Sequence, residues 1–189
     1  IPIEAALLAS NTAPGISRGF AAEKWPGIFL QDFSRAREEA MDLRKIIKKE
    51  QSGMIFGSDN DPSSLAAAGK NASSAGIGSL VSFSAKDALS YDRSSLDIIS
   101  DSGRILIVTN PPYGERMLDT KQAADLFAAL GRNWLYKGAV IKGLRLSIIA
   151  PTESFENEFG AIADKRRKLY NGKIQCNMYH YFKSGRSVN

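Results

Sequence analysis

Residues Asn110-Pro111-Pro112-Tyr113 directly follow an apolar run, Arg104–Thr109, and their chemistry suits a planar exocyclic amine. The Asn side-chain oxygen and a backbone carbonyl can each accept a hydrogen bond from an –NH₂ group. Proline fixes φ and removes a competing N–H donor, so the carbonyl between the two prolines keeps its direction. The Tyr ring offers a stacking face for a base taken out of its helix. Asn-Pro also occurs in ordinary turns, but the full set after a β-branched strand favours a catalytic site.

Two carboxylates follow other short apolar runs of the sequence. Asp59 comes after Met54–Gly57, where a carboxylate can accept both hydroxyls of a ribose. The alternative is helix capping by Asp59, Asn60 or Asp61 ahead of a proline, and we assign the cap to Asp61 and the ligand role to Asp59. Asp87 follows the next run, where it can accept from an adenine amine or serve as a turn or cap residue.

These residues lie on a predicted alternation of helices and strands. The spacing predicts helices over Ile3–Ser10, Asp32–Gln51, Pro62–Ala75, Thr120–Trp134 and Glu153–Arg167. Apolar runs predict strands over Met54–Phe56, Leu80–Phe83, Arg104–Thr109 and Leu144–Ala150, and Asn171-Gly172 predicts a hairpin turn within Lys168–Phe182. We therefore expect an α/β fold with a mostly parallel sheet, helices on both faces and an antiparallel edge hairpin.

Composition excludes several classes of protein. The chain has 189 residues, a net charge of +5, one cysteine and one histidine. One cysteine allows no intrachain disulfide, and one Cys with one His cannot form a Cys/His metal site, so we predict no metal. No apolar run approaches the length of a membrane span, and we expect a cytoplasmic protein. The positive charge leans toward an anionic partner such as nucleic acid.

Longer motifs around these residues carry a family resemblance. They are Gly57-Ser58-Asp59 with Asp61, Thr109–Arg116 (TNPPYGER), Lys168–Gly172 (KLYNG) with Cys176, and Asn11–Gly15 after the first helix. The chain resembles the THUMP-containing 23S ribosomal RNA guanine-N(2)-methyltransferases, which are class I, Rossmann-like and S-adenosylmethionine-dependent. The resemblance covers essentially the whole chain.

The resemblance implies a role for each candidate residue. Asp59 would bind the ribose of S-adenosylmethionine and Asp87 its adenine, while Asn60 stands where relatives often carry an apolar residue against that ring. Asn110 and the Pro111 carbonyl would hold the guanine amine, and Tyr113 would stack on the flipped base. The implied cofactor-binding set is therefore Asp59, Asn60, Asp87 and Asn110, and the implied catalytic set is Asn110, Pro111, Pro112 and Tyr113.

The resemblance also sets expectations for the chain as a whole. The family's glycine-rich donor loop, on the first strand, should lie immediately before Ile1. We therefore expect residues 1–189 to form a single, incomplete catalytic domain that lacks this strand and is inactive by itself. The expected partner is RNA, specifically 23S rRNA, with no membrane. A homodimer that covers the open sheet edge is a further hypothesis.

Three other readings of the sequence stay open. Asn-Pro-Pro-Tyr also serves DNA adenine-N6-methyltransferases, and a transfer RNA guanine is an equally suitable amine. A non-catalytic RNA-binding fragment is the third alternative. The basic run Lys165–Lys168 could contact phosphate or form the solvated face of a helix.

Overall fold

The computed structural model describes residues 1–45, 55–92, 94–96, 104–113, 120–151 and 154–183. The chain divides into two compact units, unit 1 (residues 1–86) and unit 2 (residues 87–189). Some predicted features lie outside the described residues: residues 46–51 of the predicted second helix, Met54 of the first strand, and Gly114-Glu115-Arg116 of the longest motif. No helix in the described part of the chain is both long and apolar enough to cross a membrane.

Unit 1 is a two-stranded parallel sheet with helices. Its elements are α1 (Pro2–Ala9), α2 (Leu30–Asp42), β1 (Ile55–Asp59), α3 (Pro62–Ser74) and β2 (Val81–Ala85). The strands pair in parallel, with Ile55 opposite Val81 and Asp59 opposite Ala85. The buried residues from α1, α3 and β2 form a small cluster of Ala6, Ala72, Ile77 and Val81.

Gly57 shows how closely unit 1 packs around β1. A Cβ atom built on Gly57 would lie 2.8 Å from the ring of Phe83 on β2 and 3.0 Å from the ring of Pro2 on α1. Real Cβ contacts are longer than this, so a larger side chain would push the strand and its neighbours apart. The glycine of the Gly57-Ser58-Asp59 motif therefore allows β1, which ends at Asp59, to pack closely against β2 and α1.

Unit 2 is built on a four-stranded mixed sheet. Its elements are β3 (Ile105–Thr109), α4 (Thr120–Trp134), β4 (Leu135–Tyr136), β5 (Ala139–Val140), β6 (Leu144–Ala150), α5 (Phe155–Phe159), β7 (Lys165–Asn171) and β8 (Ile174–Tyr181). The strand order is β3-β6-β8-β7, in which β3 and β6 are parallel and the other two pairs are antiparallel. The short strands β4 and β5 form a separate hairpin before β6.

Aromatic rings join the helices of unit 2 to its sheet. The Phe155 ring contacts Phe127 of α4 edge-on at 4.9 Å between centroids, and Tyr179 of β8 at 4.6 Å. Phe159 contacts Tyr181 at 5.1 Å. Tyr179 and Tyr181 lie opposite Ile148 and Leu146 on β6, so one face of the sheet packs against α4 and α5. This packing fixes the strands whose ends carry the candidate site.

The structure confirms the α/β class and the antiparallel edge hairpin and corrects two predicted helices. The prediction Asp32–Gln51 is wrong from Leu43 to Lys45, because α2 ends at Asp42 and Leu43 is its C-cap. The prediction Glu153–Arg167 is wrong beyond Phe159, where α5 ends at Gly160 with φ +86°. The left-handed conformation favours glycine and ends the helix there. Lys165 to Arg167 belong instead to β7, because this segment pairs with β8. The single-domain expectation stays a prediction.

Candidate active site

The amine-handling segment begins where β3 ends. Thr109 is the last residue of β3, opposite Ile148 of β6, and Asn110 follows it at the carboxyl edge of this parallel pair. Ligands of open α/β sheets bind outside this edge. Asn110 is exposed, and none of the described residues forms a hydrogen bond with its side chain. Its amide is therefore available to a ligand, while buried Pro111 fixes the backbone behind it.

Tyr113 is held from the neighbouring hairpin. Its hydroxyl oxygen lies 3.4 Å from the Sγ atom of Cys176 on β8, and its ring is half-buried. Cys176 is 1% exposed and lies opposite Leu169 of β7. The sequence had placed Cys176 in the same family pattern as Tyr113, but no sequence signal links two side chains 63 positions apart. The contact joins Tyr113, three residues after Asn110, to β8.

Asp59 lies at the carboxyl end of a parallel strand in unit 1, as Asn110 follows such a strand in unit 2. It is the last residue of β1, and its Oδ1 atom accepts a hydrogen bond from the backbone N–H of Asp61 at 2.9 Å. The Asp59 side chain is exposed, and its second oxygen makes no hydrogen bond to a described residue. Asn60, between the two acids, is also exposed. The cofactor-binding roles of Asp59 and Asn60 stay predictions.

Asp61 is the N-cap of α3, as the sequence predicted. It accepts from the backbone N–H groups of Ser63 and Ser64 at 2.9 and 3.1 Å and from both hydroxyls, and Pro62 occupies the first helical position. The hydroxyl of Ser63, followed by that of Ser64 and the backbone donors, lowers the pKa of Asp61 to about 2. The Asp61 carboxylate therefore already binds the N-terminal N–H groups of α3. Of the two acids, Asp59 is the candidate for binding a ligand.

Asp87 also has a structural role. Its Oδ1 atom accepts from the backbone N–H of Leu89 at 2.7 Å and caps the short 3-10 helix Ala88–Ser90, which is the alternative that the sequence left open. Its other oxygen accepts no hydrogen bond from a described residue. A cap does not exclude a ligand, because a carboxylate has about four acceptor sites. The predicted adenine contact stays a prediction.

The chemistry of these groups fits an adenosine-containing methyl donor. Ribose hydroxyls and the adenine amine are hydrogen-bond donors, and Asp59 and Asp87 each present an exposed carboxylate at the end of a strand or of the loop after it. Each has one oxygen fixed by a backbone N–H, which orients the other. In the described ranges, no three His, Cys, Asp or Glu side chains are placed to hold a metal ion.

The basic run Lys165–Lys168 lies on a strand, so the interpretation as a helix face is wrong. Side chains alternate between the faces of a strand, so the four cations divide into two pairs. Arg166 is fixed by Glu156 of α5, whose carboxylate accepts from its Nε at 3.0 Å. Lys168 lies over the ring of Tyr170, with 5.5 Å between its Nζ and the ring centroid.

Comparison with known proteins identifies a family for nearly the whole chain. Residues 1–180 match the model of a family described as RMKL-like, methyltransferase domain. The crystal structure of the protein SMU.472, complexed with SAH, superimposes with a TM-score of 0.80 at 30% identity, covering 100% of this chain and 46% of that one. This likeness confirms the predicted Rossmann-like methyltransferase fold.

Curated relatives agree with this match. The Bacillus subtilis protein named "Putative RNA methyltransferase YpsC" is 31% identical over 182 residues, which are 96% of this chain and 44% of the relative. The "Ribosomal RNA large subunit methyltransferase K/L" of Hahella chejuensis is 32% identical over 178 residues, 94% of this chain and 24% of the relative. The chain therefore spans less than half the length of these relatives.

Proposed function

We propose a reaction for this chain, which belongs to the RMKL-like methyltransferase domain family. The reaction is transfer of a methyl group from S-adenosylmethionine to the exocyclic N2 amine of a guanine in 23S ribosomal RNA. The name of the Hahella chejuensis relative supports a large-subunit ribosomal RNA substrate. The choice of guanine N2 is our own, and it rests on the family resemblance carried by the TNPPYGER and KLYNG motifs.

The observation that carries the proposal is the position of Asn110 to Tyr113. The segment leaves the carboxyl edge of β3, with an amide that no described residue occupies and a ring held by Cys176. An exocyclic amine needs two acceptors and a flat surface for its base. The Asn110 oxygen, the Pro111 carbonyl and the Tyr113 ring supply these three groups.

The proposed work of these residues is orientation of the amine. The lone pair of an aromatic amine is delocalised into its ring. Hydrogen bonds from the –NH₂ group to Asn110 and Pro111 favour a more pyramidal nitrogen, whose lone pair points along the attack direction. A new N–C bond then forms as the S–C bond breaks, and the surplus proton leaves the nitrogen for water. Positioning of this kind can supply much of the rate enhancement.

The proposed methyl donor is S-adenosylmethionine. When bound, it supplies a methyl group on a positively charged sulfur. The SMU.472 structure contains SAH, the product that remains after such a transfer, which supports this donor. Asp59 would accept the ribose hydroxyls and Asp87 the adenine amine, each through the oxygen that its own backbone contact leaves available. Asn60, in the bend after Asp59, would contact the adenine ring.

Asn110→Ala in the full-length protein tests the proposal. The substrate is 23S rRNA from cells that lack the enzyme, and nucleoside mass spectrometry identifies the methylated product. Because Asn110 would orient the amine but not hold the donor, we expect kcat to fall about 100-fold or more, the order seen when one oxyanion-hole donor is removed. Donor affinity, measured by calorimetry, should stay nearly the same.

Asn157→Ala is the matched control. Asn157 lies on α5, and no described residue hydrogen-bonds its side chain. This variant should turn over like the wild type. Near-normal turnover of Asn110→Ala would reject the proposed role. Product in transfer RNA, or N6-methyladenine in DNA, would replace the proposed substrate with one of the alternatives.

A further inference from the structure

The hairpin of β7 and β8 extends beyond the rest of its sheet. The last pair between β6 and β8 joins Ala150 to Asn177, whereas β7 and β8 continue for three more pairs, from Leu169 opposite Cys176 to Asn171 opposite Ile174. Three residues of a strand span about 10 Å. We call residues Lys168 to Gln175 the hairpin tip.

The hairpin tip projects from the edge that carries the candidate active site. β3 and β6 are parallel, β8 runs against β6, and β7 runs against β8, so β7 ends at the carboxyl edge of β3. The contact of 3.4 Å between Tyr113 and Cys176 joins the base of the hairpin tip to the amine-handling segment. A nucleic acid strand that placed a base against Tyr113 would therefore pass the hairpin tip.

The surface of the hairpin tip suits a nucleic acid strand. Tyr170 is 66% exposed, and Lys168 lies over its ring. Lys173 is exposed in the two-residue turn, which Gly172 opens with φ +63°. No acidic residue occurs anywhere from Lys165 to the end of the chain. An exposed ring on a basic segment without carboxylates is the combination by which proteins bind unpaired nucleotides.

We propose that the hairpin tip binds the RNA nucleotides that flank the target guanine. The Tyr170 ring stacks on a neighbouring base, and Lys168 and Lys173 contact its phosphates. This inference rests on the proposed function, because it takes the same RNA as the substrate. It assigns the hairpin tip a part in substrate choice, since only a target with an unpaired neighbour can reach the ring.

The chain contains a matched control for this arrangement. Tyr136 on β4 is 64% exposed, and the Nζ atom of Lys137 lies 5.5 Å from its ring centroid, the same distance as in the Lys168–Tyr170 pair. Their strand β4 pairs with β5, and the segment just after β5 bonds to the first residues of β6 and β3, Leu144 N–H to the Ile141 carbonyl and Ile105 N–H to the Gly143 carbonyl. Tyr136 and Lys137 therefore lie toward the amino edge of the sheet. The two pairs share chemistry and exposure but lie toward opposite edges of the sheet.

The test compares these two pairs in the full-length protein. A fluorescent 23S rRNA fragment that contains the target is titrated by anisotropy at several salt concentrations. Tyr170→Ala should weaken RNA binding on the order of ten-fold through lost stacking, whereas Tyr136→Ala should stay within about two-fold. Lys168→Gln should reduce the salt slope by about one, and Lys137→Gln should not change it. Tyr170→Phe keeps an aromatic face and should restore binding.

Each outcome decides between the two proposals. Equal RNA binding by Tyr170→Ala and Tyr136→Ala, in a wild type that methylates RNA, would overturn the role of the hairpin tip alone. Weakened RNA binding by Tyr170→Ala in a protein that methylates no RNA would reject the proposed function alone. A wild type that does not bind the fragment, or a Tyr170 effect on DNA but not on RNA, would also overturn the inference.

Discussion

The two units bury very different amounts of apolar side chain. Among the described residues, the cluster of unit 2 contains fifteen buried hydrophobic residues, among them Phe127, Trp134, Phe155, Phe159, Tyr179 and Tyr181. The cluster of unit 1 contains four, of which two are alanines. Large side chains on unit 1 are instead exposed, as Trp25 and Phe29 are. Unit 2 therefore has the greater share of hydrophobic stabilisation.

This difference corresponds to two ways of holding a functional residue. Asn110 and Tyr113 follow a strand of the sheet that packs against the aromatic cluster, and Tyr113 is tied to a second strand through Cys176. Asp59 depends on local bonds, because its carboxylate is oriented by the backbone of Asp61 and the helix after it is capped by that same residue. We infer that unit 2 positions its site by packing and unit 1 by hydrogen bonds near the strand end.

Truncation of a phenylalanine in each unit should give the largest contrast. Phe155→Ala removes a fully buried ring that contacts Phe127, Phe159 and Tyr179, so it should lower the free energy of unfolding by about 3–5 kcal/mol. Phe56→Ala, in β1, removes a ring that is 55% exposed and should cost less than about 1 kcal/mol. Urea denaturation measures both, and similar losses would contradict the difference between the units.

The two sites should also respond separately to substitution. Tyr113→Ala should weaken RNA binding by about 1–3 kcal/mol through lost stacking and leave donor binding unchanged. Asp59→Ala should do the opposite, because a hydrogen bond to a charged group contributes about 1.5–3 kcal/mol. Tyr113→Phe should be mild, since it keeps the aromatic face and removes only the hydroxyl group, which contacts Cys176. Calorimetry with each ligand gives the comparison, and a severe Tyr113→Phe phenotype would indicate a role for the hydroxyl group.

The sequence predicted the elements that local patterns specify. The amphipathic helix Thr120–Trp134 and the apolar strand Leu144–Ala150 have the bounds that the structure shows, because the periodicity and the flanking residues of each are unambiguous. The Asp61 cap was also correct, since a proline at the first helical position marks the residue before it. These features need no information from distant parts of the chain.

Features that depend on strand register could not be predicted from the sequence. Lys165 to Arg167 are good helix formers, and only their pairing with β8 makes them a strand. The contact between Tyr113 and Cys176 depends on the register of β8 against β6 and β7, as does the projection of the hairpin tip. The sequence therefore named the candidate site residues as members of motifs, and their roles stay predictions, while their spatial partners became known only from the structure.

Alanine substitution of a helical glycine should have opposite signs in the two units. A Cβ atom on Gly131 of α4 would overlap the carbonyl oxygen of Phe159, so Gly131→Ala should destabilise the protein by about 1–3 kcal/mol. Gly69 of α3 has open space around its Cβ position, and Gly69→Ala should stabilise by roughly 0.5–1 kcal/mol because it lowers the entropy of the unfolded chain. Thermal denaturation gives both signs, and a stabilising Gly131→Ala would contradict the close approach of α4 and α5.

The smallest expected contrast is in the acid response of two aspartates. In unit 2, burial alone would raise the pKa of Asp164, but the N–H groups of Phe182 and Lys183 donate to its Oδ2 at 2.7 and 2.9 Å and the net pKa is lowered. In unit 1, the Ser63 and Ser64 donors lower the pKa of Asp61 to about 2.

A lowered folded-state pKa adds stability at pH values above the unfolded-state pKa, near 3.8, and this stability is lost as the pH falls through the folded-state pKa. Asp164→Asn and Asp61→Asn should therefore lower the free energy of unfolding at pH 7. The difference from the wild type should shrink between about pH 4 and pH 2 for Asp61, and as the pH falls below about 4 for Asp164. Because Asp164 joins the start of β7 to the end of β8, its loss should cost more than that of the exposed cap. Urea denaturation across this pH range tests the order, and a larger effect at Asp61 would mean that the hydrogen bonds of unit 1 outweigh those that close the hairpin of unit 2.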